Sequence, residues 1–265
     1  MKVTYQGLRI ILPIDGIVQV ESFTLEASFN RHASVSLLLL VEEEGIEGEL
    51  HGLADGAAIE VYEEEVLFKG KIQSAEVFQQ KGLYYLNIKA LSYTSEWEFA
   101  AVSQTYLNLD ATYEQVMKKV LENHPQAEIK DCITGGRTIP DFLLQYEETD
   151  WDFLIRLASH FQSFVIPDYK EGHGRAYFGI PDLGAETVLR EEDYETVKDL
   201  ENYMQVNLDG QLMQQEAIRW NVKTYHSFVL AQKVAFRGIS AVVTRINYRT
   251  VDGELCRFYE LSRKK

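Results

Sequence analysis

Between residues 23 and 29 the chain alternates. Phe23, Leu25, Ala27 and Phe29 are apolar, and Thr24, Glu26 and Ser28 between them are polar. A period of two puts successive side chains on opposite faces of a strand, so this stretch predicts a half-buried β-strand. The pattern recurs through the first hundred residues and constrains the fold more than any other feature. Ser34 to Val41 predicts a second, more fully buried strand. AIEVY at 58–62 and VLFKGKI at 66–72 flank the acidic tip Glu63-Glu64-Glu65, which suits a hairpin turn. LYYLNIKAL at 83–91 alternates again after the turn signal Lys81-Gly82. Short strands, turns between them and no strong helix imply a sandwich or a barrel.

The period changes near Asp110. Tyr113, Val116, Met117, Val120 and Leu121 fall on one face of a helix. Thr112 and Gln115 match a capping box, Asp110 is a competing cap, and Pro125 follows the end. Residues 126–144 suggest short extended pieces around the turn Gly135-Gly136. Next comes QYEETDWDFLIRLASHF, residues 145–161, where Glu147, Glu148, Asp150 and Asp152 crowd ahead of Arg156 and His160. Thr149 is a good N-cap, and Asp150 and Asp152 sit in the first turn, where carboxylates meet exposed N–H groups and the positive dipole end. Leu154, Leu157, Ala158 and Phe161 form an apolar stripe. Asp152, Arg156 and His160 are spaced four apart on another face, which predicts an i,i+4 ion pair. Acids in such a place need no chemistry, since perturbed carboxylates signal a site when a cleft holds them.

Ser163–Tyr169 and Arg175–Ile180 predict a pair of strands joined by residues 170–174, and the last third of the chain returns to strands. There VAFRGI at 234–239 echoes VLFKGKI at 66–72. Each is followed by a strand, a turn with glycine (Gly82, Gly253) and a strand ending in Leu-Ser (Leu91-Ser92, Leu261-Ser262). Gly70 to Leu91 spans 21 residues and Gly238 to Leu261 spans 23. Matching order and spacing favour two similar β-barrels around a helix-bearing insert. The expected architecture is mainly β with an α+β insert. Residues 1–105 form the first barrel, 106–195 an α/β insert with two helices, and 196–265 the second barrel, with room to share strands with the N-terminal part.

Composition narrows the function. At 265 residues the chain is long enough for a substantial core. Its 41 acidic and 26 basic residues give a net charge of -15, which repels nucleic-acid phosphate and anionic lipid. No basic stripe with interleaved aromatics offsets that. The longest apolar run, Val35 to Val41 broken by Ser36, is far too short to span a bilayer. The start, MKVTYQG, lacks the charged-then-apolar pattern of a signal peptide. Cys132 and Cys256 are too few for a disulfide framework and lack metal-ligand spacing, so synthesis in a reducing cytoplasm is expected.

The six histidines (His32, His51, His124, His160, His173, His226) show no HxH or HExxH spacing. Gly172-His173-Gly174 is too short for a phosphate loop, and no GxSxG elbow is present. The acidic triplets 42–44, 63–65 and 191–193 read as solvated loops. A glycosidase needs only two suitably spaced carboxylates, which 41 acids can supply without any positive sign of it. No residue is therefore assigned to catalysis, a cofactor or a metal.

Gln145, Tyr146, Glu148, Thr149 and Asp150, followed by Phe153, Leu154, Arg156 and Leu157, spell Q-Y-x-E-T-D-x-x-F-L-x-R-L. This resembles a segment of the tail hub proteins of contractile injection systems. That family includes the VgrG spike protein of type VI secretion, the late-control D protein of contractile-tailed phages, and hubs of phage-tail-like toxin particles. Leu67-Phe68-Lys69-Gly70 is similar to the family's first-barrel hairpin, and residues 228–261 are similar to its second barrel.

The resemblance implies two similar barrels per chain, six in a homotrimer, matching a six-fold tube, with the insert outside. It implies a non-enzymatic hub joining the tube protein to a three-fold spike protein and touching other baseplate proteins. No cofactor, specific nucleic-acid binding or stable membrane insertion is implied. Such a hub is made in the bacterial cytoplasm without a signal peptide and built into a phage tail or injection particle. The motif residues would then be the scaffold of the insert.

Two features depart from the family. VgrG chains have a glycine shortly after the Arg-Leu pair, where this chain has Phe161-Gln162-Ser163. Spike proteins also continue into a small oligonucleotide-fold barrel and a β-helical needle, whereas this sequence ends at Ser262-Arg263-Lys264-Lys265. A hub with a separate spike, or a fragment, fits that end. Two other classes stay open: a hydrolase of cell-wall glycan or peptide using paired carboxylates, and a ligand-binding β-module suggested by aromatic content. Tyr84-Tyr85 and Trp97 are expected to be barrel residues.

Overall fold

A computed structural model describes residues 2–5, 7–43, 53, 56–190, 193–199, 205–206, 212–213 and 217–263. The acidic positions 44, 191 and 192 and His51 lie outside the described residues.

The chain begins with strands β1 (Lys2–Tyr5), β2 (Leu8–Ile11), β3 (Ile17–Ser28) and β4 (Arg31–Val41). Strands β5 (Ala58–Tyr62), β6 (Val66–Gln80) and β7 (Leu83–Ser92) follow. A 3-10 segment (Tyr93–Glu98) and β8 (Val102–Tyr106) lead to helix α1 (Tyr113–Val120). Then come β9 (Glu128–Asp131), β10 (Leu143–Glu148), helix α2 (Asp150–Ser159), β11 (Val165–Asp168) and β12 (Arg175–Phe178). Strands β13 (Thr187–Leu189), β14 (Asp193–Asp199), β15 (Gln205–Val206) and β16 (Leu212–Met213) precede β17 (Ala217–Thr224). The end is β18 (Lys233–Phe236), β19 (Ile239–Val251) and β20 (Glu254–Arg263).

One large sheet runs β1-β2-β5-β6-β7-β4-β3-β19-β20-β17-β14, with β18 on β19 and β13 on β18. Among the described residues its ends do not pair, so the sheet is open where two closed barrels were expected. The reason lies at β3. Its free edge is taken by β19, in register from Arg245 opposite Ser28 to Arg249 opposite Thr24, so it joins the C-terminal strands instead of closing on β1. Residues 187–189 and 193–199 also pair into this sheet, through β18 and β17.

The sheet contains the same unit twice. Antiparallel strands β3 to β7 lie in the order β3-β4-β7-β6-β5. Strands β14, β17, β18, β19 and β20 lie in the order β14-β17-β20-β19-β18, again antiparallel throughout. The long hairpins agree in detail. In β6 the register slips at Gln73, seven residues before Gln80 at the strand end. In β19 it slips at Thr244, seven residues before Val251. Both hairpins turn through two left-handed residues, Lys81-Gly82 (φ 53° and 80°) and Asp252-Gly253 (φ 50° and 81°). That turn matches the twist of the strands it joins.

The short sequence echo is displaced from this structural one. Phe68-Lys69-Gly70 lies inside β6, whereas Arg237-Gly238 is itself the turn between β18 and β19, with φ 53° and 76°. The unequal spans of 21 and 23 residues follow from a three-residue displacement at the glycine and a one-residue displacement at the Leu-Ser pair. Counting from the bulges, the counterpart of Gly70 in the second unit is Ala241.

Strand β4 alternates more cleanly than expected. Ala33, Val35, Leu37, Leu39 and Val41 are buried, and the residues between them are half-buried. Phe29 lies just past β3 and packs on Phe164, with ring centroids 5.1 Å apart. The main core includes Phe23, Leu25, Phe68, Ile88, Ile246 and Leu261. Burying each such side chain contributes about 1.5–3 kcal/mol.

A second core lies under the helices and includes Tyr113, Met117, Trp151, Phe153, Leu154 and Leu157. Trp97, expected in a barrel, belongs here instead, because the 3-10 segment carries it out of the sheet after β7. Strand β11 joins the two cores, with Val165 in the second and Ile166 in the first. At this seam the Asn30 N–H donates to the Val165 carbonyl at 2.8 Å, and the Val165 N–H donates to Asn30 Oδ1 at 2.8 Å.

Candidate functional site

The motif at 145–157 opens on a ribbon of β8 and β10. Gln145 faces Gln104 and Glu148 faces Val102, so Tyr146 and Glu147 bulge out of register opposite Ser103. Glu147 takes a left-handed backbone, φ 47°, and its N–H donates to Ser103 Oγ at 3.2 Å. The bulge turns Gln145 inward, fully buried, and Tyr146 outward into solvent. Such a bulge re-aims side chains beside the next element, here α2.

Thr149 caps α2 as its sequence predicts, with Oγ1 accepting from the Asp152 N–H at 3.1 Å and donating to Asp152 Oδ2 at 2.8 Å. The capping box at α1 also forms, between Thr112 and Gln115. Arg156 does not pair with Asp152. It turns back to Glu148, which takes both Nε and Nη2, and Nη2 also donates to the Leu144 carbonyl at 2.6 Å. The cause is the bulge, which holds Glu148 and the Leu144 carbonyl close to one face of α2. The guanidinium also lies 4.8 Å over the Phe153 ring. Phe153, Leu154 and Leu157 are fully buried.

Asp150 stands in the first turn of α2, as expected, but it faces inward. It is buried, and its Oδ1 accepts from Gln145 Nε2 at 2.8 Å. Its Oδ2 lies 2.7 Å from His124 Nε2, which arrives from the far end of α1. Gln145 also donates to the Glu148 carbonyl at 3.3 Å and accepts from the Tyr106 hydroxyl at 3.4 Å. Burial pushes the Tyr106 hydroxyl up to about 12, with the Asp150 charge adding to it, so it stays a donor. Tyr106 stacks on Phe153 at 5.5 Å. One node therefore ties β8, β10, α1 and α2 together, and His124 is the member that sequence spacing missed.

A second chain of bonds ends beside it. The Ala33 N–H donates to Ser92 Oγ at 3.1 Å, Ser92 Oγ lies 3.0 Å from Thr94 Oγ1, and Thr94 Oγ1 lies 2.9 Å from His32 Nδ1. His32 Nε2 lies 3.1 Å from Glu98. With the Ala33 N–H donating at one end and the Glu98 carboxylate accepting at the other, the chain of bonds is satisfied by a neutral His32 protonated on Nε2. Burial lowers the His32 pKa to about 4, although Asp152 pulls the other way. The nearby Glu98 suggests an ion pair, but its side chain is half-exposed, and burial of the imidazole decides the charge state. The ring packs at a tilt of 40° against Trp151, with centroids 4.3 Å apart.

His124 also borders an open groove of about 510 Å³ lined by Lys71, Tyr93, Glu96, Phe99, Pro125, Gln126, Gly172 and His173. An Asp–His pair is the base half of a nucleophilic triad. No Ser, Thr or Cys lines the groove to complete one, and Lys71 is paired with Glu96. Among the described carboxyls, Glu98 is raised, by burial first and then by Asp152, and it lies outside the groove lining. Among the described residues, no group of His, Cys, Asp and Glu is arranged to hold a metal. No helix there is long and apolar enough to cross a membrane. The arrangement is suited to fixing two helices and a ribbon in place.

No protein-family model matches this chain, and none of the curated proteins does. Solved structures do. The E. coli c3393 protein, described as a component of the type VI secretion system with structural similarity to T4 bacteriophage tail proteins gp27 and gp5, superposes with a TM-score of 0.71. It is 10% identical, over 97% of this chain and 77% of that one. A tail protein from Neisseria meningitidis MC58 superposes at 0.69 with 12% identity, over 98% of this chain and 97% of that one. The chain has the fold of these tail proteins. The 43 kDa tail protein of prophage MuSo2 from Shewanella oneidensis has it too, at 0.69 and 10% identity, with 97% of each chain covered. Coverage that wide takes both sheet units and the helical part into the tail-protein fold.

Proposed function

We propose that this chain is a structural hub of a contractile injection apparatus, a phage tail, tailocin or type VI-like particle, joining a six-fold tube to a three-fold spike. The observation that carries this reading is the tail-protein fold over nearly the whole chain. The duplicated five-strand unit supports it further, because two like units per chain become six in a homotrimer and so meet a six-fold partner. In this proposal residues 1–105 and 196–265 supply the two tube-like units and 106–195 the insert. The motif from Gln145 to Leu157 acts as scaffold, holding the insert's ribbon to its helices. The hub acts without catalysis and with tube, spike and other baseplate proteins as partners, and it is carried in the assembled particle.

Size exclusion with light scattering, with and without the cognate spike, tests this. The expected species with spike contains three chains of 30.5 kDa, about 91.5 kDa of this protein. A stable monomer or a clean dimer in the presence of spike would sink the hub assignment.

A further inference from the structure

The outer face of the first sheet unit carries an apolar cluster that strand register places residue by residue. Phe78 on β6 lies opposite Tyr85 on β7, and Tyr85 lies opposite Leu40 on β4. Leu83 on β7 and Leu38 on β4 share these faces, since alternate residues of a strand point the same way. The Phe78 and Tyr85 rings stack with centroids 5.4 Å apart. Phe78 and Leu83 are 39% and 48% exposed, and Tyr85, Leu40 and Leu38 are partly exposed. Their strand neighbours Val77, Tyr84, Leu39 and Val41 belong to the main core or pack against it, whereas none of the five does. The cluster therefore points away from the core as an apolar patch of roughly 300–400 Å².

The second unit lacks this patch. Matching the hairpins through their turns, Lys81-Gly82 and Asp252-Gly253, sets Arg249 at the place of Phe78 and Glu254 at that of Leu83. Lys223 on β17 stands where Leu38 stands on β4. It lies opposite Phe258, five residues past Gly253, as Leu38 lies opposite Asn87, five residues past Gly82. All three counterparts are charged and exposed. The chain thus presents the apolar face once, and a trimer presents it three times. A six-fold tube meets both units and cannot dock equivalently on a face that only one of them has in apolar form. One patch alone falls short of the ~800 Å² per partner that a stable interface buries. Three engaged together exceed it, so the area also calls for a partner that binds all three at once.

We propose that Phe78, Leu83 and Tyr85 of the β6–β7 hairpin, with Leu38 and Leu40 of β4, dock the three-fold spike through an apolar surface that the spike presents in three copies. This rests on the hub reading and deepens it, by assigning the spike to the first unit of each chain.

The test titrates the cognate spike, and separately the cognate tube protein, against the full chain. The parent is expected to bind both. Phe78→Ser/Leu83→Ser should bind the spike at least tenfold more weakly, while melting like the parent and binding the tube unchanged. Arg249→Ser/Glu254→Ser, at the counterpart positions, should bind the spike as the parent does. Leu83→Ser alone serves if the first double variant fails to fold, with a smaller loss in the same direction. A parent that does not bind the spike would overturn the hub reading and this proposal with it. A parent that binds the spike no better than Phe78→Ser/Leu83→Ser does would overturn this proposal alone. So would a loss of tube binding in that variant, or a loss of self-association in sedimentation without spike, which would give the face to the tube or to a second copy.

Discussion

Asp150 and Gln145, five residues apart across the end of a strand and the start of a helix, meet at 2.8 Å inside the protein. The contact exists because Tyr146 and Glu147 bulge out of the ribbon and bring Gln145 around to face the first turn of α2. The same carboxylate holds His124 at 2.7 Å, so one buried acid fixes three separate segments.

Replacing Asp150 by Ala leaves Gln145 and His124 without their buried partner. The expected loss is about 2–3 kcal/mol of stability in urea unfolding. Asp152→Ala, on the exposed side of the same turn, should cost only about 0.5–1 kcal/mol through the cap and dipole. Equal costs for the two would mean the node contributes nothing beyond helix capping.

His32 predicts a pH dependence. Its folded pKa of about 4 lies below its ordinary 6.5, so between these values the unfolded chain binds the extra proton. The stability from this group is complete above about pH 6.5, falls as pH drops to 4, and is flat below that. The full amplitude is on the order of 3 kcal/mol. Glu98, raised by burial, works in the opposite sense but is half-exposed and screened by solvent. Stability measured from pH 7 to 4 should fall less steeply in His32→Gln than in the parent. An unchanged slope would assign the acid sensitivity elsewhere.

Gly70 sits in the middle of β6, where a Cβ would lie 2.1 Å from the Leu91 carbonyl oxygen and 2.7 Å from Phe68. The first of these is backbone on the paired strand and cannot swing away. Gly70→Ala should cost about 1–3 kcal/mol or more by overpacking, seen as a lowered melting temperature. A variant as stable as the parent would show that β7 yields there.

Tyr259 predicts the strength of the second unit. Its hydroxyl donates to the His226 carbonyl at 2.9 Å, accepts from the Phe228 N–H at 3.1 Å and meets Tyr248 at 2.7 Å. Tyr259→Phe strands the buried Phe228 N–H and should cost about 1–3 kcal/mol in urea unfolding. A neutral result would mean that water or a shifted Tyr248 replaces the bond.

Charge sets the salt response of any assembly. At -15 per chain, like faces repel, so the proposed trimer should weaken at low salt and recover as ions screen the charge. Light scattering across a salt series reads this directly. Tighter association at low salt would point to an interface of opposite charges.

By itself the sequence determined the local elements. The strands read at 23–29, 34–41, 58–62, 66–72 and 83–91, the helical spacing from Tyr113, the caps at Thr112 and Thr149, and the turns at Gly82 and Gly253 all depend on neighbours within a few residues. The duplication was visible too, though its register was not. Phe-Lys-Gly and Phe-Arg-Gly look alike as letters, yet one lies within a strand and the other makes a turn. Only tertiary structure decided what depends on distant partners. The edge of β3 goes to β19, more than two hundred residues later, and that pairing keeps the sheet open. Arg156 takes Glu148 because a bulge sets the geometry, and Asp150 turns inward because His124 and Gln145 are there to receive it. A buried carboxylate needs its partners, and which residues supply them is fixed by packing across the whole chain rather than by spacing along it.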